Sequence, residues 1–363
     1  AGNLTARRRG KKPGLGTIML GSHSDTVPDG GRYDGIAGVA VALEVARALA
    51  DQGIELDHDL EVVDFLAEEV SIFGVSCIGS RGMAGVLPED WFLRESNGLT
   101  LEQGIRDAGG DPARIQTEAR RDIAAFLELH IEQGPVLETE KRDIGVVTAI
   151  AGITRIEIIV QGRADHAGTT PMGNRADALA AAARLVTGIE ALAKSLSDGP
   201  NHFTATVGEF SIEPHAANVV PSRARLLIDA RAEDRTAMDQ FAASVDLLAE
   251  QLARETGTVI ETPRRISDNM PTPGDPLLLD VLDAACEAVG ASHRRMASGA
   301  GHDTAWMARV TRSAMIFVPC LAGRSHAPEE FAETDDIALG AAVLLNAVIQ
   351  LDEKLQKVIQ GDV

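Results

Sequence analysis

Cysteine is scarce in this 363-residue chain: Cys77, Cys286 and Cys320 are the only three. That excludes a disulfide scaffold and a Cys-rich zinc site, and it predicts a protein of a reducing, cytoplasmic compartment. Aromatic residues make up 3%, so the core has to be aliphatic. Positive charge is also short, with 34 Lys and Arg against 54 Asp and Glu and a net charge of −20. This excludes a general nucleic-acid binder, whose affinity rests on a basic surface. The one basic run, Arg7-Arg8-Arg9 with Lys11-Lys12, reads as a solvated loop. No run reaches the ~18 uninterrupted apolar residues of a membrane span, and the N-terminus has no apolar signal core; no membrane partner is expected. His-Glu-x-x-His, the Gly-x-x-x-x-Gly-Lys phosphate loop and the Gly-x-Ser-x-Gly elbow are all missing. His130-Ile131-Glu132 matches half of a base-deaminase signature, but no Pro-Cys-x-x-Cys follows.

What is there is enough chain for two cores, since single cores stop growing near 250–300 residues. Residues 17–21, 60–66, 126–130 and 312–318 read as strands, alternating with helical runs at 36–50, 277–289, 303–310 and from 336 onward. Such alternation predicts an α/β layer structure with a mostly parallel sheet. The middle differs. Strands at 155–160, 202–207, 225–229 and 258–262 and helices at 174–196 and 236–256 make a compact α/β sandwich. Pro263, Pro271, Pro273 and Pro276 then mark a linker. The expected organisation is a first domain in two parts, 1–151 and 265–363, interrupted by a module at 152–264.

The side chains able to hold a metal fall in one kind of place. His23 comes directly after the first strand; Asp34 stands between Gly30-Gly31 and Gly35, before a helix. Glu68 and Glu69 end the second strand, His130 ends another, and His326 follows the last. All lie at or beyond the C-terminal ends of strands, the rim where open α/β sheets bind ligands. Each residue taken alone is more often structural or surface; the coincidence is what points to a site. Two sets of His and carboxylate sharing one aspartate would hold two cations about 3.5–4 Å apart, acidifying a water between them to near neutral pH. Of the adjacent pair Glu68 and Glu69, one can bind metal while the other moves the water's proton to a leaving nitrogen. His58, His202, His215 and His293 read as structural or surface histidines.

Five motifs then carry a family resemblance: GSHSDTV at 21–27, GGRYDG at 30–35, ELHIEQGP at 128–135, DHAGTTPM at 165–172 and SGAGHD at 298–303. Together they resemble the amidohydrolases of N-carbamoyl-L-amino acids, allantoate and β-ureidopropionate, in the wider clan of dimetal aminoacylases and carboxypeptidase G. The resemblance runs from about residue 2 to residue 350. It implies a dimetal hydrolase domain with an inserted dimerisation (lid) domain, hence a homodimer, and hydrolysis of a ureido C–N bond in a small carboxylate substrate. By motif position it implies one metal on His23, Asp34 and His130, another on Asp34, Glu69 and His326, and Glu68 as general base. Zinc or manganese would fill such sites, with cobalt or nickel also compatible. His166 matches a family histidine that reaches the scissile carbonyl from the partner subunit, physically an oxyanion donor. Asn218 and Arg231 match the holders of the substrate carboxylate, where an arginine fork makes charge-assisted contacts. Gln133 and the backbone of Gly299 match further substrate contacts, Gly301 being an alternative to Gly299.

The chain departs from the family pattern at Val70 and Ile72, where Gly and Arg are usual, and at Leu321-Ala322-Gly323-Arg324, where Arg324 adds a cation. It also opens inside a segment that relatives reach after an upstream helical stretch. Two rival readings stay open: a dipeptidase or N-acyl amino acid hydrolase with the same metals, and a metal-binding dimer without catalysis.

Overall fold

The computed structural model describes residues 1–115, 119–199 and 201–360. They form two compact units, one made of Ala1–Thr148 with the chain from Gly274 onward, the other of Ala149–Pro273.

In the first unit, Asp59–Phe65, Thr17–His23, Ile123–Ile131 and Arg312–Val318 lie side by side in that order, every neighbouring pair parallel. Antiparallel edges flank them, Leu4–Arg8 on one side and Ile144–Ile150 on the other. The period of two along each strand sorts the core into two layers. Ile18, Leu20, Leu60, Val62, Leu127 and Ile316 pack under the helices Ile36–Asp51, Pro276–Val289 and Thr334–Gln360. Met19, Val63, Phe65 and Phe126 point the other way, against Met83 and Met307. Because the four central strands share a direction, their C-terminal ends share one rim. The helix Pro276–Val289 starts where its sequence says it should: Asp275 accepts from the N–H groups of Leu277 and Leu278, and Pro276 needs no partner at the first turn. Thr334–Lys357 is long and apolar enough by composition to cross a membrane. Its Val343, Leu344, Ala347, Val348 and Leu351 are spent on the core instead.

The second unit is an antiparallel sheet, Val259–Ile260, Gly152–Gln161, Arg223–Ala232 and Phe203–Glu213 in order, with Arg264–Asp268 also paired to Gly152–Gln161. Ala178–Ser197 and Arg235–Thr256 cover one face, where Ile156, Ile158, Leu226 and Ile228 meet Leu185, Phe241 and Val245. The chain is therefore a mixed α/β protein with a mostly parallel sheet and a separate antiparallel one.

Two expectations are corrected here. The basic run is a loop only in its second half: Arg7 and Arg8 end the edge strand Leu4–Arg8, Arg9, Lys11 and Lys12 lie beyond it, and Arg7 and Arg9 are ion-paired to Asp59 at 2.8 and 2.9 Å. Nor does the second unit's sheet stop at residue 264, because Arg264–Asp268 continues it; Thr272–Pro273 pairs instead with the strand Ile144–Ile150 of the larger sheet.

Candidate metal centre

The parallel rim of the first unit brings His23, Asp34, Glu69, His130 and His326 together. His23 and His130 are the last or penultimate residues of neighbouring strands, and their rings stand 5.7 Å apart. Asp34 enters from the loop before the helix Ile36–Asp51. Its oxygens divide between two sets of partners: Oδ1 lies 3.6 Å from His23 Nε2 and 3.1 Å from His130 Nε2, while Oδ2 lies 3.3 Å from His326 Nε2. His326 Nε2 is also 3.0 Å from Glu69 Oε1. Within each trio, His23–Asp34–His130 and Asp34–Glu69–His326, all potential ligand atoms lie within 4.8 Å of one another.

The ring tautomers suit ligation. Nδ1 of His23 faces the Asp25 carbonyl at 3.0 Å and Nδ1 of His130 the Ile131 carbonyl at 2.9 Å. With each Nδ1 turned to a carbonyl, Nε2 is the nitrogen offered to a metal; on His130 it accepts from the Gly35 N–H at 3.2 Å. Nitrogen and carboxylate donors in this mixture fit a borderline divalent cation. The first trio is buried, whereas the His326 side chain is 49% exposed; the second trio is the open one. Gly35 is required where it stands. Its φ is +66°, and a Cβ there would sit 2.4 Å from the His23 ring.

Electrostatics favour the ionised forms of Asp34, His23 and His130. Burial works against the charge on Asp34, but the hydrogen bond and charge of His130, with Ser325 and His23, keep its carboxyl well below the usual range. Burial likewise opposes protonation of His23, yet Asp25, Glu68 and Asp303 outweigh it and raise this histidine well above its ordinary value. His130 is raised by Asp34 against a similar burial cost. Glu68 is different: burial pushes it up to about 7.

Without metal, then, the raised histidines stabilise the fold fully below their unfolded pKa, about 6.5, and lose that contribution as pH climbs through the raised values. Glu68 adds in the same sense, holding a proton in the fold up to about pH 7. Thermal unfolding in chelator should show lower stability at pH 9 than at pH 6, a slope reduced in His23→Gln. Added manganese or zinc should restore more at pH 9, where ligand protons no longer compete. A flat or opposite slope in chelator would contradict this electrostatic picture.

The supporting residues escaped the sequence reading. Asp25 accepts from the backbone N–H groups of Glu68 and Glu69, 3.1 Å each, and so fixes the acidic pair. Glu330 accepts from Tyr33 N, Asp34 N and the Ser325 hydroxyl, tying the Asp34 loop to the His326 loop. Asp25 lay inside a quoted motif and Glu330 four residues past His326, but nothing in their spacing distinguished them from solvated acids. Glu330→Gln keeps the shape and removes the charge; metal affinity should fall by about 10–100-fold, the usual effect of losing such a support, measurable by titration with zinc or manganese.

Val70 and Ile72 are 66% and 67% exposed. Val70 has no positive φ, so its backbone makes no demand for glycine, and the loop still closes through Ser71 N to Val75 O. Gln133 donates from Nε2 to Asp34 Oδ2 at 2.7 Å, while its Oε1 is buried without a partner. Gly299 follows the strand His293–Ser298, next to Ser298, whose hydroxyl is 2.8 Å from His302 Nε2. The His302 ring in turn packs on that of His130 at 4.6 Å.

His166, Asn218 and Arg231 belong to the second unit. His166 Nδ1 accepts from the N–H groups of Gly168 and Thr169, so Nε2 carries the ring proton on an exposed side chain. Asn218 is beside it: its carbonyl accepts from Ala167 N, and His166 bridges to Val219. Arg231 is at the other end of the sheet. Arg223 pairs with Gln161 and Arg231 with Ile153; these eight steps span roughly 27 Å at about 3.4 Å each. His166 and Asn218 lie still farther out, beyond Gln161 and before Arg223. Asn218 and Arg231 of one copy therefore cannot grip the same small carboxylate.

Comparisons with known proteins agree on a family. Residues 19–350 match the peptidase family M20/M25/M40. Over 355 residues the chain is 37% identical to the N-carbamoyl-L-amino-acid amidohydrolase of Paenarthrobacter aurescens, covering 97% of this chain and 85% of that protein. It is 36% identical over 357 residues to the ureidoglycolate hydrolase of Oryza sativa subsp. japonica, covering 96% and 73%. A hydantoinase/carbamoylase family amidase from Burkholderia multivorans superposes with a TM-score of 0.88 at 37% identity, over 95% of this chain and 83% of that one. With motifs, fold and ligand trios in accord, the chain belongs to the peptidase family M20/M25/M40, a family of metal-dependent hydrolases.

Proposed function

We propose that this protein hydrolyses the carbamoyl or ureido C–N bond of a small carboxylate-bearing substrate, an N-carbamoyl-L-amino acid or allantoate. The observation that carries the reading is the division of Asp34, one oxygen toward each trio, in a chain whose named relatives are amidohydrolases. His23, Asp34 and His130 would hold one divalent cation and Asp34, Glu69 and His326 a second, zinc or manganese, with cobalt or nickel also suited to these donors. When bound, such a pair supplies Lewis acidity and an acidified water.

Glu68 takes the proton of the attacking water and passes it to the leaving nitrogen, a task its elevated pKa suits. His166 donates from Nε2–H to the developing oxyanion. Arg231 pairs with the substrate carboxylate, and Gln133 and the Gly299 backbone make further polar contacts. From an N-carbamoyl amino acid the products are the amino acid, ammonia and carbon dioxide. Separation of His166 and Asn218 from Arg231 within one copy supports a homodimer, formed through the inserted domain, in which two copies furnish one site. Three buried, free cysteines favour a cytoplasmic setting.

The test is a substrate panel after reconstitution with manganese and then zinc: an N-carbamoyl-L-amino acid, allantoate, β-ureidopropionate and ureidoglycolate, read as ammonia released. Free carboxylic acid without ammonia, from acyl substrates alone, would favour the dipeptidase or acylase reading. Bound metal with no turnover of any of them would favour the silent dimer. Mixed dimers of Glu68→Gln and His166→Ala should regain activity that neither parent has; failure to do so would count against the shared site.

A further inference from the structure

The segment that carries Glu68 is held from several sides. Its N–H donates to Asp25 Oδ1 at 3.1 Å, and its carbonyl accepts from Cys77 N at 2.8 Å. Just before it, Ile78 N reaches Ala67 O at 3.1 Å and Gly79 N reaches Leu66 O at 2.8 Å. Ala67 and Cys77 both take positive φ, +50° and +54°, without being glycine. Such residues persist only where surrounding contacts over-determine them, and they gather at functional sites. The Cys77 side chain adds the last restraint: its thiol donates to Glu68 Oε1 at 3.3 Å. The other oxygen, Oε2, lies 3.8 Å from His23 Nε2, on the metal side.

We propose that Cys77 is a positioning residue for Glu68, its S–H holding Oε1 so that Oε2 is presented to the metal centre. Nothing in the spacing of metal ligands calls for a cysteine here, and Cys77 is neither nucleophile nor ligand in this arrangement. Its chemistry fits the task. The residue is 5% exposed, so the donor is shielded from water. Burial, with the charge of Glu68 and Asp303, pushes its thiol well above the usual range, so it remains a proton-bearing donor. A thiol is a small, largely apolar group with a weak S–H, able to orient a carboxylate in a dry place without leaving a strongly polar atom unsatisfied.

The inference rests on Glu68 acting as the base, and its test separates the two ideas. In the metal-loaded enzyme, Cys77→Ala should lower kcat about tenfold, the rate equivalent of one hydrogen bond to a charged group, with KM and metal content unchanged. Cys77→Ser, which restores a donor, should recover most of that loss. In the metal-free protein, the S–H stretching band of the hydrogen-bonded thiol should shift in Glu68→Gln, a readout independent of turnover and of the folding of any Cys77 variant. Wild-type kcat in Cys77→Ala, or an unshifted band in Glu68→Gln, overturns the role of Cys77. Full turnover in Glu68→Gln would instead remove the base itself, whatever Cys77 does.

Discussion

Replacing Asp34 by alanine is expected to empty both metal subsites at once. Each trio contains Asp34, through a different oxygen, so one substitution deletes a ligand from both. Loss of a mere supporting partner costs about 10–100-fold in metal affinity, and loss of a direct ligand should cost more for each ion. His326→Ala supplies the contrast. Its side chain is half-exposed and reaches only the Asp34–Glu69 group, so that variant should lose one ion and keep the one on His23 and His130. Metal analysis after dialysis against a fixed free-metal concentration distinguishes the two patterns. Should Asp34→Ala lose only the same single ion as His326→Ala, the bridging assignment fails. The fold should survive, because the strands that bring His23 and His130 together are set by Leu20, Leu127 and their neighbours in the core. Asp34→Asn is the gentler form: it keeps the shape, and its loop stays tied to Glu330 through the N–H groups of Tyr33 and Asp34.

The convergence of the candidate residues was legible in the sequence because strand ends impose a simple rule. Parallel strands deliver their last residues to one rim, so His23 and His130 had to be neighbours once 17–23 and 123–131 were strands. Asp34, the Glu68–Glu69 pair and His326 lie in loops at the same rim; which of the two glutamates faces an ion came from the family resemblance and not from the strand pattern. Edges and supports were not legible. Leu4–Arg8 looks like a basic loop, since an edge strand shows water one side and carries no apolar alternation; the partner that makes it a strand, Asp59–Phe65, is more than fifty residues away. Glu330 and Asp25 read as ordinary acids, because what sets them apart is a set of backbone N–H groups positioned by the fold. The length of the second unit's sheet was also underestimated. Strands read at 202–207 and 225–229 extend over Phe203–Glu213 and Arg223–Ala232, since their outer halves are polar on the face not covered by helices. That extra length is what separates Asn218 from Arg231. Motif matching alone groups the two residues on one carboxylate; the ladder assigns them to opposite ends.

Glu68→Gln should leave both ions in place and lower turnover by about 10²–10⁴, the share usually carried by a positioned proton shuttle. Glutamine is close in shape and can still sit between Asp25 and Cys77, but it cannot accept a proton. Glu68 lies among groups that pull its acidity in both directions. Burial raises it most, His23 and the Cys77 hydrogen bond lower it, and the charge of Glu69 raises it again, for a net value of about 7. A base with that pKa is ionised on the alkaline side, so kcat/KM in the wild type should fall as pH drops through it. Cations bound beside it would favour the ionised form and move this limb to lower pH. In Glu68→Gln the residual rate should lose the limb altogether, because no group is left at that position to protonate. Metal content measured on the same sample separates this outcome from a damaged centre. A glutamine variant that keeps its ions and also keeps wild-type turnover would strip Glu68 of its role, and proton transfer would have to be sought among the other buried acids, such as Asp303.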